Sequence, residues 1–221
     1  LRKIVIPRGV TEIKPSTFAD CENLETVIFT GEIDKIDSYA FERAALQSVD
    51  LPDSVVSIGS EAFAGTKLKE VRIPRDCTEI GDKAFYESPI EKFVVAPDSQ
   101  TFMAGKDGVL FSKDGTRLLL YPYGCADKTY TVPAGVERIE RYAFYANPNL
   151  EEVTFPESLR DFGDSAFERL PRLKRLTLPE GLEDITGNQV FQVCRALTEL
   201  NMPSTLKNIS GNGNFCEIGI E

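Results

Sequence analysis

Thirty-five aspartates and glutamates, five cysteines and no histidine set the chemistry open to this chain of 221 residues. Two carboxylates at a workable separation could serve as general acid and base on a glycoside, but the acid needs an apolar cleft that raises its pKa. Among 35 acids some pair always lies at such a separation, so the count selects none, and nothing in the sequence places one in such a cleft. The absence of histidine removes Ser-His-Asp and Cys-His machinery and the common His-ligated zinc sites. The cysteines form no CxxC pair, so neither a zinc ribbon nor a dense disulfide framework is indicated. Cys125 is the best candidate for an exposed thiol, with no base or metal partner nearby in sequence. Cys21, Cys77, Cys194 and Cys216 read as small buried hydrophobes. The expectation is a protein without catalytic residues, metal or cofactor.

Composition narrows the partners. A formal charge of −10 is the opposite of a nucleic-acid footprint and disfavours an anionic membrane surface. No apolar run is long enough to span a bilayer, so no membrane insertion by this segment is expected. Residue 1 leads straight into IVIP, with no visible signal peptide, and the array begins and stops without a capping element. The reading is therefore a fragment of a longer chain.

What must position any functional side chain is a repeat. Residues 57–63 read SIGSEAF and residues 79–85 read EIGDKAF. Units counted from the first residue of an apolar triplet begin at Ile4, Val27, Val49, Val71, Phe93, Tyr130, Val153, Leu176 and Leu200. The usual step is about 22 residues, the mark of a solenoid. Apolar columns recur within the unit: Ile13, Ile36, Ile58, Ile80, Ile139, Phe162, Ile185 and Ile209 form one, and Phe18, Phe41, Phe63, Phe85, Phe144, Phe167, Phe191 and Phe215 another. The triplet alternates in, out, in, as a strand does. Proline usually follows it, as at Pro7, Pro52 and Pro74, and ends ladder pairing because it lacks an N–H. The Ala-Phe segment is expected to form a brief helical turn. Stacking of such coils about 4.8 Å apart buries the columns as continuous ladders. Asn208-Ile209-Ser210 matches a glycosylation acceptor, but Ile209 falls on a core column, so the match reads as chance.

These residues carry a resemblance. The pattern VxIPxxVxxIGxxAFxxCxxL resembles the BspA-like leucine-rich repeat family (LRR_5 type) over essentially the whole chain. The resemblance implies a right-handed leucine-rich repeat array, an α/β-type, β-rich solenoid of about nine coils in one domain over residues 1–221. It also implies a non-enzymatic bacterial cell-surface or extracellular module for adhesion. Its partner would be a host or neighbouring-cell protein or glycan; the alternative is a passive spacer displaying another domain.

One step is 37 residues, not 22. In the insertion at about 103–128, two apolar runs flank Lys113-Asp114-Gly115-Thr116, and Asp-Gly between such runs predicts a β-hairpin. Tyr121 and Tyr123 follow it and read either as a sticky aromatic ledge or as cover for the break in the ladders. Insertions of this type also recur in the family it resembles, which favours cover. The out-facing strand columns supply the other candidate contacts, Asp50, Glu70, Arg72, Lys92 and Val94. Opposite charges on neighbouring rungs predict the pairs Asp50–Arg72, Glu70–Lys92, Glu152–Arg175 and Arg175–Glu199, each worth a few tenths of a kcal/mol.

Overall fold

The computed structural model describes residues 1–219. They form two compact units, one of residues 1–108 with 122–124, the other of residues 109–121 with 125 onward.

In the first unit the apolar triplets become short parallel strands. Lys3–Ile6, Thr26–Phe29 and Ser48–Val49 pair in one sheet, and Glu70–Ile73 with Lys92–Val95 in another. The register is that of the repeat: Ile4 faces Val27, Val27 faces Val49, and Val71 faces Phe93. A second ladder joins Glu12–Ile13, Lys35–Ile36, Ser57–Ile58 and Glu79–Ile80, with Ile13, Ile36, Ile58 and Ile80 in line. Phe18, Phe41, Phe63 and Phe85 stack nearly parallel, with ring centroids 5.2, 5.3 and 5.7 Å apart. Offset stacking of this kind adds to the burial of large apolar area.

The second unit repeats this plan and absorbs the insertion. Leu110–Ser112 and Arg117–Leu120 form an antiparallel hairpin. Its second strand pairs in parallel with Arg138–Ile139, which pairs with Asp161–Phe162. Leu118 thus becomes a rung before Ile139 and Phe162. Val109, Phe111 and Leu118 are buried in the same core as the coils that follow, so the hairpin packs along the stack. Thr129–Thr131, Glu152–Thr154, Arg175–Thr177 and Glu199–Asn201 form the outer ladder. Phe144, Phe167, Phe191 and Phe215 stack at 4.6, 5.7 and 5.7 Å.

The expected helical turns do not form, and the α/β label falls with them. No described residue is helical. The residues two before and two after each column Phe are left-handed: Tyr39 (φ 60°) and Arg43 (φ 53°) around Phe41, Tyr142 (φ 59°) and Ala146 (φ 55°) around Phe144. A right-handed helix needs negative φ throughout. Here every second N–H turns toward the next coil instead. Tyr39, Phe41 and Arg43 donate to the carbonyls of Ser60, Ala62 and Ala64 at 2.9, 2.8 and 2.7 Å. The segment is a third inter-coil ladder, and those bonds offset the roughly 1–2 kcal/mol cost of each left-handed residue. Buried backbone groups must be paired, and stacking offers partners that an isolated helical turn lacks.

Close coil spacing also explains the glycine after the ladder isoleucine. A Cβ at Gly59 would lie 2.4 Å from the Ser38 nitrogen, and one at Gly81 2.4 Å from the Ser60 nitrogen. Three residues expected to be buried are not. Ile209 lies half exposed in the last described strand of its two-stranded sheet, Cys21 is half-buried, and Cys216 is exposed.

Candidate binding surface

Strand alternation turns one column of each outer ladder to solvent, and the candidate contacts sit there. Glu70 and Lys92 are register partners, and their charged groups lie 2.7 Å apart. Arg72 faces Val94, which is half-buried. These four side chains form two adjacent rungs. Asp50 does not join them by a charge pair. Arg72 instead reaches Asp53 at 2.9 Å, and Asp53 also accepts the Arg75 N–H at 3.1 Å. The Arg72 guanidinium, then the Arg75 N–H, hold the Asp53 carboxyl below its usual range. The strand Ser48–Val49 is too short to carry Asp50 into register, so the turn after Pro52 supplies the acid. Asp50 stays exposed and unpaired among the described residues.

Tyr121 is not part of an exposed ledge. It is 6% exposed, in the core of the second unit, stacked on Phe144 at 5.0 Å and edge-on to Tyr130 at 4.8 Å. Its hydroxyl donates to Cys125 Sγ at 3.2 Å, and burial followed by that contact pushes its pKa up. Tyr123 belongs to the first unit, half-buried and edge-on to Tyr86 at 6.0 Å. Burial raises its pKa too. Cys125 is half-buried rather than open.

The outer face of the second unit is polar and internally satisfied. Arg175 bridges Glu152 at 3.0 Å and Glu199 at 2.6 Å, as charge alternation predicts. Glu151 sits between Lys174 and Lys128 at 2.6 and 3.0 Å. Hydrogen bonds from Lys174 and then Lys128 hold its carboxyl down at about 2. Thr154 donates to Thr131 at 3.0 Å, and Asn201 to Thr177 at 3.2 Å.

Among the described residues, the carboxyls of Asp20, Asp37, Asp114 and Glu180 are also held below their usual range. A general acid needs the opposite shift. Among the described residues no group of three histidine, cysteine or acidic side chains is placed to hold a metal ion. No described helix is long and apolar enough to cross a membrane.

One feature of the face lies outside the charged strip that the sequence predicts. Val5 and Ile28 are direct register partners, 52% and 37% exposed. The signal was two β-branched aliphatics in succession in an outward column otherwise made mostly of Thr, Asn and charges.

Stacked coils of this length, with a strand, a second short strand and a Phe turn in each, define a leucine-rich repeat protein. The chain belongs to the BspA type leucine rich repeat family, whose model matches six copies over residues 1–105 and 122–220. The unmatched residues 106–121 contain the hairpin. A leucine-rich repeat protein from Eubacterium ventriosum shares 28% identity, with a TM-score of 0.83 over 91% of this chain and 54% of that one. A leucine rich cell surface protein from Faecalibacterium prausnitzii shares 28% identity, with a TM-score of 0.61 over 96% of this chain and 60% of that one. The pneumococcal vaccine antigen PcpA shares the fold, at 23% identity and a TM-score of 0.75 over 100% of this chain and 68% of its own. The chain thus spans about half the length of the Eubacterium protein. No curated protein matches it.

Proposed function

We propose that this chain is a non-enzymatic binding module on a bacterial cell surface. It would use a pre-formed repeat face to hold a protein or glycan of a host or neighbouring cell. The observation that carries the reading is an outward strand column whose backbone is fixed by parallel pairing with the neighbouring coil, so that little ordering entropy is lost on binding. The resemblance to a Faecalibacterium prausnitzii protein named for the cell surface supports the location. Asp50, Glu70, Arg72, Lys92, Val94 and Tyr123 are the proposed contacts. The test is label-free binding to a panel of matrix glycoproteins, mucins and polysaccharides, with Asp50→Ala/Arg72→Ala and Tyr123→Ala variants of unchanged melting temperature alongside. Saturable binding lost in one variant supports the module and says which contact carries it.

A spacer holding another domain is the second reading. It is favoured by the pairing of Glu70 with Lys92 and Arg72 with Asp53, which leaves those charges little to offer a partner. Flat traces across the panel would favour it.

A further inference from the structure

We propose that the strand face of the first two coils docks an extended acidic segment of a partner protein, through Val5 and Ile28 framed by Lys3 and Arg8. This rests on the binding reading above and moves its centre. Val5 and Ile28 point outward from neighbouring strands, side by side, while Ile6 and Val27 on the same strands face the core. The next residue in that outward column is Asp50, so the apolar surface is a short strip with a polar border. Exposed aliphatic pairs on a sheet gain most from being covered.

The charges around the pair name the partner. Lys3 precedes Val5 on the same face, and Arg8 reaches the Thr30 carbonyl at 3.2 Å, at the far ends of the same two strands. Both are exposed, and neither makes an ion pair among the described residues. Arg2 adds a third cation, 3.8 Å from Glu25, and Asp50 follows Ile28 in the column. Two cations that make no ion pair among the described residues, beside an apolar pair on a chain of net charge −10, complement acids on the partner. An extended segment fits because its alternate side chains repeat with the same two-residue period as Lys3 and Val5.

The test uses fluorescein-labelled ten-residue peptides of alternating glutamate and valine, lysine and valine, or glutamate and serine, with dextran sulfate as a polyanion without apolar groups. The expected result is saturable binding of the glutamate–valine peptide, at least tenfold tighter than the other two. Val5→Ser/Ile28→Ser and Lys3→Glu/Arg8→Glu should each weaken it at least tenfold, with unchanged melting curves. Arg175→Ala, on the outer ladder of the second unit, should leave it unaltered. Equal binding of the glutamate–serine peptide, competition by dextran sulfate alone, preference for lysine, or no binding at all would overturn the proposal. So would self-association in sedimentation that Val5→Ser/Ile28→Ser abolishes, because a second copy would then be the occupant. If the peptides behave as expected while the matrix panel stays flat, the docking face stands and the assignment to host or neighbouring-cell ligands fails. Panel binding insensitive to Val5 and Ile28 with silent peptides reverses that outcome.

Discussion

Tyr121 lies 5.0 Å from Phe144 with ring planes 24° apart, and its N–H donates to the Ala143 carbonyl at 2.8 Å. That is the relation Phe144 has to the next coil, where its ring stacks on Phe167 and its N–H meets Ala166. Tyr121 therefore serves as the first aromatic rung of the second unit, at the end of the insertion and 23 residues before Phe144. Tyr121→Phe should keep the stack and lose the contact with Cys125, costing about 1 kcal/mol or less. Tyr121→Ala should leave a cavity and cost about 3–5 kcal/mol. Urea unfolding of the two variants separates a core role from a surface one, since a surface tyrosine would tolerate both.

Gly81→Ala should destabilise the first unit by several times the usual effect of a glycine replacement. The new Cβ would meet backbone of the preceding coil, which cannot rotate away as a side chain would. Gly9→Ala is the control, because nothing lies within 4 Å of its Cβ position. Replacement there should be neutral or stabilise by up to about 1 kcal/mol through the unfolded state. Equal melting temperatures for the two variants would contradict the close approach of the coils.

Glu151 makes stability depend on acidity. Its carboxyl is held from an ordinary 4.5 down to about 2 between Lys174 and Lys128. A lowered acid stabilises the fold above its unfolded value, and that contribution is lost as pH falls through the folded value. The stability difference between the native chain and Glu151→Gln should thus be full above pH 4.5 and vanish toward pH 2. Salt should shrink it, because Lys128 and Lys174 are exposed to solvent. Urea midpoints across that range, at low and high salt, give the answer.

The cysteines should sort by burial. Cys77 and Cys194 are buried, and loss of hydration pushes their thiols up to about 11 and 12. Neither should react with a thiol reagent at pH 8 until the chain unfolds, because the thiolate is the reactive form. Cys216 should react at once, with Cys21 and Cys125 slower. Counting modified sites by mass spectrometry over time tests the order.

The periodic features were legible in the sequence because they are local. A period near 22 with apolar residues in constant columns identifies which side chains face inward, and the rungs from Ile13 to Ile80 and from Phe18 to Phe85 fall on those columns. The pairs Glu70–Lys92 and Glu152–Arg175–Glu199 followed from column neighbours of opposite sign.

Tertiary structure decided the rest. Arg72 chose Asp53 over Asp50 because a two-residue strand ends before Asp50, and strand length depends on the neighbouring coil. The Ala-Phe turn took left-handed residues in place of a helix because its N–H groups find carbonyls one coil away, partners absent until coils stack. Tyr121 entered the core because the chain regained the stack there, one 23-residue step before Phe144; the spacing stands in the sequence, but only the pairing of Leu118 with Ile139 turns that ring inward. Spacing along a chain states which residues share a face; which groups meet across faces is set by how far apart the coils come to rest.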